Sequence, residues 1–341
     1  MISMKKVLVV LVGVILLVIA AMPVYAGVSA YAFGDYYYMF KSNNANQEKL
    51  NGFWLRRLYI TYDADISDKI KARARLEMHS DGKFGSSELS ITPFVKDAYI
   101  SYQFLPTHAI AIGIQESLTW SNIEKFYGYR HLEKTPFDLY KTRSSRDFGI
   151  SLKGSFDAGK IFNYGLMFGN YSSYKEEIDK YKQVSARFTV NPDANWMFEV
   201  SGDYVKRSAA KKTVLLQAFA GYQGDWGRVG LNYGQEKITE TGKADVDFGL
   251  FSAFAVAKFN KFVEAIVRYD MTTDPLVSGN DRFLIIEKGY KTNLFIVGLG
   301  WNIHPKFQIM PNLKLVTYKE NASGVKPKDA SQFNVTFYYI F

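Results

Sequence analysis

Hydrophobic and polar residues alternate along most of this chain. From Lys69 it runs Lys-Ile-Lys-Ala-Arg-Ala-Arg-Leu-Glu-Met-His, so Ile70, Ala72, Ala74, Leu76 and Met78 share one face and Lys71, Arg73, Arg75, Glu77 and His79 the other. A period of two separates these sets completely, whereas helical spacing mixes them. The pattern recurs in Ala98/Ile100/Tyr102/Phe104, Phe148/Ile150/Leu152/Phe156, Phe162/Tyr164/Leu166/Phe168 and Val184/Ala186/Phe188/Val190. It continues in Trp196/Phe198/Val200/Tyr204, Val263/Ala265/Val267/Tyr269/Met271, Phe295/Val297/Leu299/Trp301 and Phe333/Val335/Phe337/Tyr339/Phe341. Each run predicts a strand with one apolar and one polar face. Tyr31 to Phe40 and Phe248 to Phe259 are apolar on both parities, and their faces stay open.

Between the runs, short turn-like links near 65–68, 105–108, 157–160, 191–195, 224–227, 260–261 and 304–306 alternate with longer polar links. The longer ones fall near 41–51, 80–92, 118–144, 172–180, 206–212, 238–246, 273–290 and 319–330. Seven short and eight long links imply sixteen strands. At about 10 residues per membrane-crossing strand these use roughly 160 residues, and the rest is absorbed by the links without a second domain. An even strand count, short turns on one side and long loops on the other predict an all-β transmembrane antiparallel barrel. Closure leaves no unpaired strand edge in hydrocarbon. A soluble two-sheet secreted β protein would also alternate, but its outer face should be polar, and here strand after strand carries an apolar face. Arg56, Lys96 and Lys258 have lipid-facing parity and are expected to snorkel from strand ends.

The N-terminus carries its own pattern. Lys5 and Lys6 precede an apolar stretch from Val7 to Ala21, then Pro23 and the small-residue pattern Val24-Tyr25-Ala26. This reads as a cleaved secretory leader over residues 1–26, leaving one barrel domain over 27–341. Removing the two leader lysines takes the formal charge from +9 to +7. So mild a charge on an exported chain argues against a nucleic-acid partner. With no cysteine, neither disulfides nor thiolate metal sites hold the fold. The 24 Tyr, 26 Phe and 5 Trp suit a surface meeting lipid and its interfaces.

Enzyme signatures are missing: there is no Gly-x-Ser-x-Gly elbow, phosphate-binding loop or His-Glu-x-x-His, and His79, His108, His131 and His304 do not cluster. No catalytic residue, metal site or cofactor is expected. His79-Ser80-Asp81 resembles triad members in a row, but neighbours on a strand point to opposite faces.

Parity places nine bases inside the barrel (Arg57, Lys71, Arg73, Arg75, Lys153, Arg187, Arg228, Arg268, Lys314) and nine acids (Asp63, Glu77, Asp97, Asp147, Glu199, Asp203, Glu236, Glu264, Asp270). The bases are uneven: Arg57, Lys71, Arg73 and Arg75 make a basic strip on one wall, which favours anions locally. Alternatively, these bases only pair with Asp63, Glu77 and Asp97. The longest loop, 118–144, combines Glu124, Lys125, Arg130, His131, Glu133 and Lys134 with Trp120, Phe126, Tyr127, Tyr129, Phe137 and Tyr140. So many rings are expected to fold inward and narrow the pore; lying outside, or in a trimer contact, is the competing arrangement. The last strand ends in a stripe of Phe333, Val335, Phe337, Tyr339 and Phe341, resembling the signal read by the outer-membrane barrel assembly machinery.

Several stretches resemble the phosphate-selective porin O and P family: Phe53-Trp54-Leu55-Arg56-Arg57-Leu58-Tyr59-Ile60 leading into Lys71 to Glu77, then Lys96-Asp97-Ala98-Tyr99-Ile100-Ser101-Tyr102, then Ser145-Arg146-Asp147-Phe148-Gly149-Ile150. Order and spacing match over about the first half; the second half matches only as a generic barrel. The resemblance implies a sixteen-stranded homotrimeric channel whose lumen bases draw in phosphate or polyphosphate. Here the basic ladder extends only to Arg57, Lys71, Arg73 and Arg75.

The expected function is passive diffusion of small hydrophilic solutes and ions through the outer membrane of a Gram-negative-type envelope, weakly favouring anions. The expected partners are outer-membrane lipid, the barrel assembly machinery and the permeating small anions. Other readings are a solute-specific channel, a barrel enzyme, or a plugged structural or adhesive protein.

Overall fold

The computed structural model describes residues 25–85, 91–119, 121–171, 173, 175 and 178–341. Most of the expected leader, residues 1–24, lies outside the described residues, as does Trp120. Sixteen antiparallel strands close into one barrel in simple sequence order. The first eight are β1 (Tyr25–Lys41), β2 (Asn51–Asp65), β3 (Ile70–His79), β4 (Thr92–Leu105), β5 (His108–Glu116), β6 (Arg146–Ser155), β7 (Phe162–Gly169) and β8 (Gln183–Val190). The rest are β9 (Trp196–Lys206), β10 (Lys211–Gly224), β11 (Gly227–Glu240), β12 (Val246–Lys258), β13 (Val263–Thr272), β14 (Thr292–His304), β15 (Phe307–Tyr318) and β16 (Ala330–Ile340). β1 closes the sheet on β16, from Tyr31 opposite Ile340 to Lys41 opposite Ser331.

The strand count and the alternation of shorter and longer links follow the sequence pattern. Two links expected to be long, 206–212 and 238–246, shorten to 207–210 and 241–245, because β10 and β11 each extend for 14 residues. Among the described residues no helix is long and apolar enough to cross a membrane. The strands supply the crossing surface: Ile60, Leu76, Ile100, Ile112, Ile150, Leu166, Val200, Leu216, Leu231 and Leu299 are exposed around the wall. A soluble monomer rarely exposes so continuous an apolar band, whereas hydrocarbon requires one. On β16 the stripe Phe337, Tyr339 and Phe341 points outward as expected, its rings in sequential contact at 6.3 and 5.2 Å.

Two β-bulges change what the inside contains. On β2, Phe33 opposes Arg57 and the next β1 residue, Gly34, opposes Leu55, so Arg56 is the extra residue. On β4, Asp97 opposes Arg75 while Val95 opposes Leu76, which makes Lys96 extra. A bulge lets neighbours share one face. Arg56 and Lys96 therefore turn inward rather than toward lipid, where a mid-membrane cation costs about 2–4 kcal/mol. Lys258 also departs from expectation. It sits at the end of β12 directly opposite Glu264, on the inward side of the ladder, and is exposed.

The two segments with unassigned faces are resolved as well. On β1, Tyr31, Phe33, Asp35 and Tyr37 take the lumen side, with Tyr31 stacked on Tyr59 and Tyr37 on Trp54. On β12, Phe248, Leu250, Phe254 and Val256 are buried inside the barrel. They join Leu215 and Phe219 of β10, Ile266 of β13, Leu294 and Ile296 of β14, and Met310 and Val316 of β15 in one apolar interior wall. Loop 118–144 covers that wall.

Candidate functional site

The loop enters the barrel carrying two short helices, α1 (Ser121–Tyr127) and α2 (Pro136–Leu139). Its Ile123, Phe126, Tyr127, Tyr129, Leu132, Phe137, Leu139 and Tyr140 pack into the apolar wall as a single core. Burial of these side chains gives the attraction, at about 25 cal/mol per Å² of apolar surface removed from water. Two wall glycines make the approach close enough. A Cβ at Gly221 would lie 2.6 Å from the Phe126 ring, and one at Gly234 2.5 Å from the Phe137 ring.

Burying loop backbone also requires hydrogen-bond partners. Wall cations provide them. Arg187 Nη1 donates to Leu118 O at 3.2 Å and to Ser121 Oγ at 2.8 Å. Arg228 Nη1 donates to Phe126 O at 2.9 Å, Arg268 to Lys134 O, and Arg56 to His131 O and, at 3.3 Å, Leu132 O. Lys314 donates to Leu132 O at 2.9 Å and to Glu133 Oε2 at 2.7 Å. In the other direction, loop residue Arg143 pairs with Asp203 at 2.7 Å and with Glu236. Of the nine bases placed inside by parity, Arg187, Arg228, Arg268 and Lys314 thus hold the loop.

Burial adjusts the loop's own ionisable groups. His131 is buried, and this lowers its pKa to about 4; its Nε2–H donates to Gln308 Oε1 at 2.7 Å and its ring stacks on Tyr338 with centroids 4.6 Å apart. For Glu133, burial acts to raise the pKa, but Lys314 and Arg56 outweigh it and hold the carboxyl at about 2. Burial raises Glu124, against the opposing pull of Arg130.

On the uncovered wall the basic strip is zipped to acids. Arg57 meets Glu77 at 2.7 Å, Arg73 grips both oxygens of Asp63 at 2.6 and 3.0 Å, Arg75 meets Asp97 at 3.3 Å and Lys71 meets Asp65 at 3.2 Å. The strip is therefore paired, the alternative arrangement, and does not stand as a row of bare cations. Glu77 is shared with Lys96 at 2.9 Å, and Asp97 with Arg146. Arg146 continues to Glu116 at 3.5 Å, and Glu116 to the exposed Lys125 at 3.2 Å. From the loop, Arg130 reaches Glu124 at 3.5 Å and Asp138 at 3.9 Å, and Lys134 reaches Asp138 at 3.3 Å. Two charged surfaces, wall and loop, thus face each other.

Open space lies at both ends of the barrel. At the long-loop end a cavity of about 420 Å³ is lined, among the described residues, by Arg56, Arg57, Lys83, Arg130, Lys134, Lys141 and Arg282 with Glu133 and Asp281. At the short-turn end a space of about 460 Å³ is bordered by Lys153, Lys160, Arg187 and Asn122. Among the described residues lining these two spaces, cations outnumber acids.

No protein-family model matches the chain, and no curated protein sequence matches it. Solved structures do. Over 93% of this chain the fold is similar to all of an anion-selective porin from Comamonas acidovorans, with TM-score 0.66 and 13% identity. The fold is that of an outer-membrane porin. OmpF of Salmonella typhi, in complex with daunomycin, aligns over 93% of this chain and 97% of its own with TM-score 0.68 and 11% identity. The outer-membrane channel DcaP of Acinetobacter baumannii gives 0.65 and 10% over the same shares.

Within this porin fold, Arg57, Arg73, Arg75, Glu77 and Asp97 lie together on one wall, and Arg56, Lys96, Asp35 and Arg282 are lining residues that the parity of the sequence did not place there. A signal existed for two of them. Arg56 and Lys96 fall mid-sequence in strands at lipid-facing parity, a cost that a bulge removes. Asp35 lay in a run of unassigned parity, and Arg282 belongs to a loop without periodicity.

Proposed function

We propose that this chain is a passive channel of the outer membrane in a Gram-negative-type envelope, passing small hydrophilic solutes and ions with a weak preference for anions. The observation that carries this reading is the one-sided filling of the barrel. Loop 118–144 seals the wall of β10–β15 with an apolar core, and the cavity at the outer mouth stays polar, with seven cations and two acids among the described residues that line it. Glu124, Lys125, Arg130 and Lys134 form the loop side of the constriction, while His131 and Glu133 act as its seat. The zipped strip keeps the preference weak, because Arg57, Arg73 and Arg75 each already hold a carboxylate. Phosphate is one anion such a passage accommodates. Channel chemistry, with no reaction catalysed, accounts for every charged cluster described.

The mature chain is proposed to start at Gly27, to be inserted through the outward stripe ending in Phe337, Tyr339 and Phe341, and to assemble as a homotrimer. Ion selectivity tests the reading: reversal potentials across a planar bilayer in a KCl gradient should have the sign of chloride preference. A cation-selective potential, unaltered by Arg73→Ala with Arg75→Ala, would remove the anion preference from the account.

A further inference from the structure

On the outside of the barrel the apolar belt ends in a row of lysines. Val184 of β8, Tyr204 of β9 and Val214 of β10 stand side by side in register, all exposed, as the top row of the belt at the long-loop end. Two residues further up, the same face carries Lys182, Lys206 and Lys212. Lys206 lies directly opposite Lys212, and its amide donates to Lys182 O at 3.1 Å, so the three sit on neighbouring strands about 4.8 Å apart. Like charges directly opposite each other destabilise a strand pair. The acids nearby serve other groups. Lys237 of β11 meets Asp245 at 2.8 Å and stands opposite Asp247, while Lys182 turns its ammonium to the carbonyls of Asp179 and Tyr181 at 3.4 and 3.2 Å. Lys206 and Lys212 are exposed and have no ion pair or side-chain hydrogen bond among the described residues. The turn above them is closed tightly by Ser208 Oγ, which accepts from the amides of Ala210 and Lys211 at 3.2 and 3.0 Å.

From this arrangement we infer that Lys206 and Lys212 form a docking site for a phosphate of lipopolysaccharide, the phosphorylated saccharolipid of the outer leaflet. In an outer-membrane barrel the long-loop end faces the cell exterior, so the top row of the belt marks the level where acyl chains give way to headgroups. A phosphate at that level accepts hydrogen bonds from both ammonium groups, which turns a repulsive pair into a shared anion site. The acyl chains of the same molecule run down the belt over the exposed Leu216 and Val200. Both halves of one amphiphile are matched, charge above and hydrocarbon below. A soluble anion uses only the first half, and a second copy of the barrel docked here would bury two unpaired cations. Each lysine at an anionic lipid surface is worth roughly fivefold in affinity. The site lies on the lipid side of the wall, so it rests on the outer-membrane placement of the barrel and not on conduction through its lumen.

The test is native mass spectrometry of the full barrel, refolded without native lipid in an uncharged detergent. It is titrated with bisphosphorylated lipid A, with the same lipid stripped of phosphate, and with inorganic phosphate. The phosphorylated lipid should bind saturably and more tightly than either of the others. Lys206→Gln and Lys212→Gln should each weaken it roughly fivefold and the double variant further, while Lys206→Arg with Lys212→Arg should retain it. Lys243→Gln, at an exposed turn lysine already paired with Glu240 at 2.6 Å, should bind as the parent does. Heat-modifiable mobility on gels verifies that each variant is a folded barrel. Equal binding of the dephosphorylated lipid, equal or tighter binding of inorganic phosphate, or parent-like lipid binding by the double glutamine variant would overturn the inference. So would a double variant whose only change is its oligomer mass, which assigns the face to a second copy. A barrel that binds the phosphorylated lipid without conducting ions in a bilayer loses the channel reading and keeps this site, whereas one that conducts without distinguishing the lipids loses only the site.

Discussion

Lys314, reaching in from β15, meets Glu133 of the infolded loop at 2.7 Å with both side chains almost fully removed from solvent. Removing one member of such a pair strands a buried charge, at about 3–5 kcal/mol. Lys314→Met should therefore loosen the loop, and Lys314→Met with Glu133→Gln should recover much of the loss. Protease cleavage within 118–144, followed in the folded barrel, checks both variants.

The glycine seats make a sharper test of how the loop docks. Valine at Gly221 or Gly234 would drive a methyl-bearing side chain into the Phe126 or Phe137 ring. Either substitution should unseat the loop, raise protease sensitivity and alter conductance.

His131 makes the loop's hold pH-dependent. Its folded pKa of about 4 lies below the ordinary value of 6.5, so between these limits the released loop binds more protons than the docked one. Docking is then complete above pH 6.5 and weakens as pH falls toward 4. Glu133, held at about 2, adds a loss below pH 4.5. Loop protection measured by hydrogen exchange should decline over the first window in the parent protein and stay flat there in His131→Gln.

Neutralising the strip has a direction set by its pairing. Arg73→Ala with Arg75→Ala leaves Asp63 without Arg73 and Asp97 with Arg146 alone, so the lumen loses two positive charges beside acids that stay. The reversal potential should shift toward cation preference, more at low salt than at high salt, since screening shortens the reach of the field.

Much of the barrel was legible because the lipid-facing side of a strand admits few exceptions. The row Ile70 to Met78 against Lys71 to His79 can be read only one way. What escaped was whatever broke the count of two. One extra residue at Arg56 and another at Lys96 reversed their facing, so that Arg56 anchors the loop and Lys96 shares Glu77 with Arg57. The doubly apolar run at Phe248 to Phe259 was itself informative: a strand apolar on both faces is buried on both, and here the second face meets the loop. Pairing of Arg57, Arg73 and Arg75 was open in the sequence because parity places charges on a wall without saying which touch.

Whether an aqueous path persists beside the docked loop is read by single-channel recording of the purified barrel in a planar bilayer. Discrete, reproducible conductance steps are expected, and they should grow when the loop is unseated by Gly234→Val. A folded, inserted barrel that stays silent in both forms would contradict the channel reading.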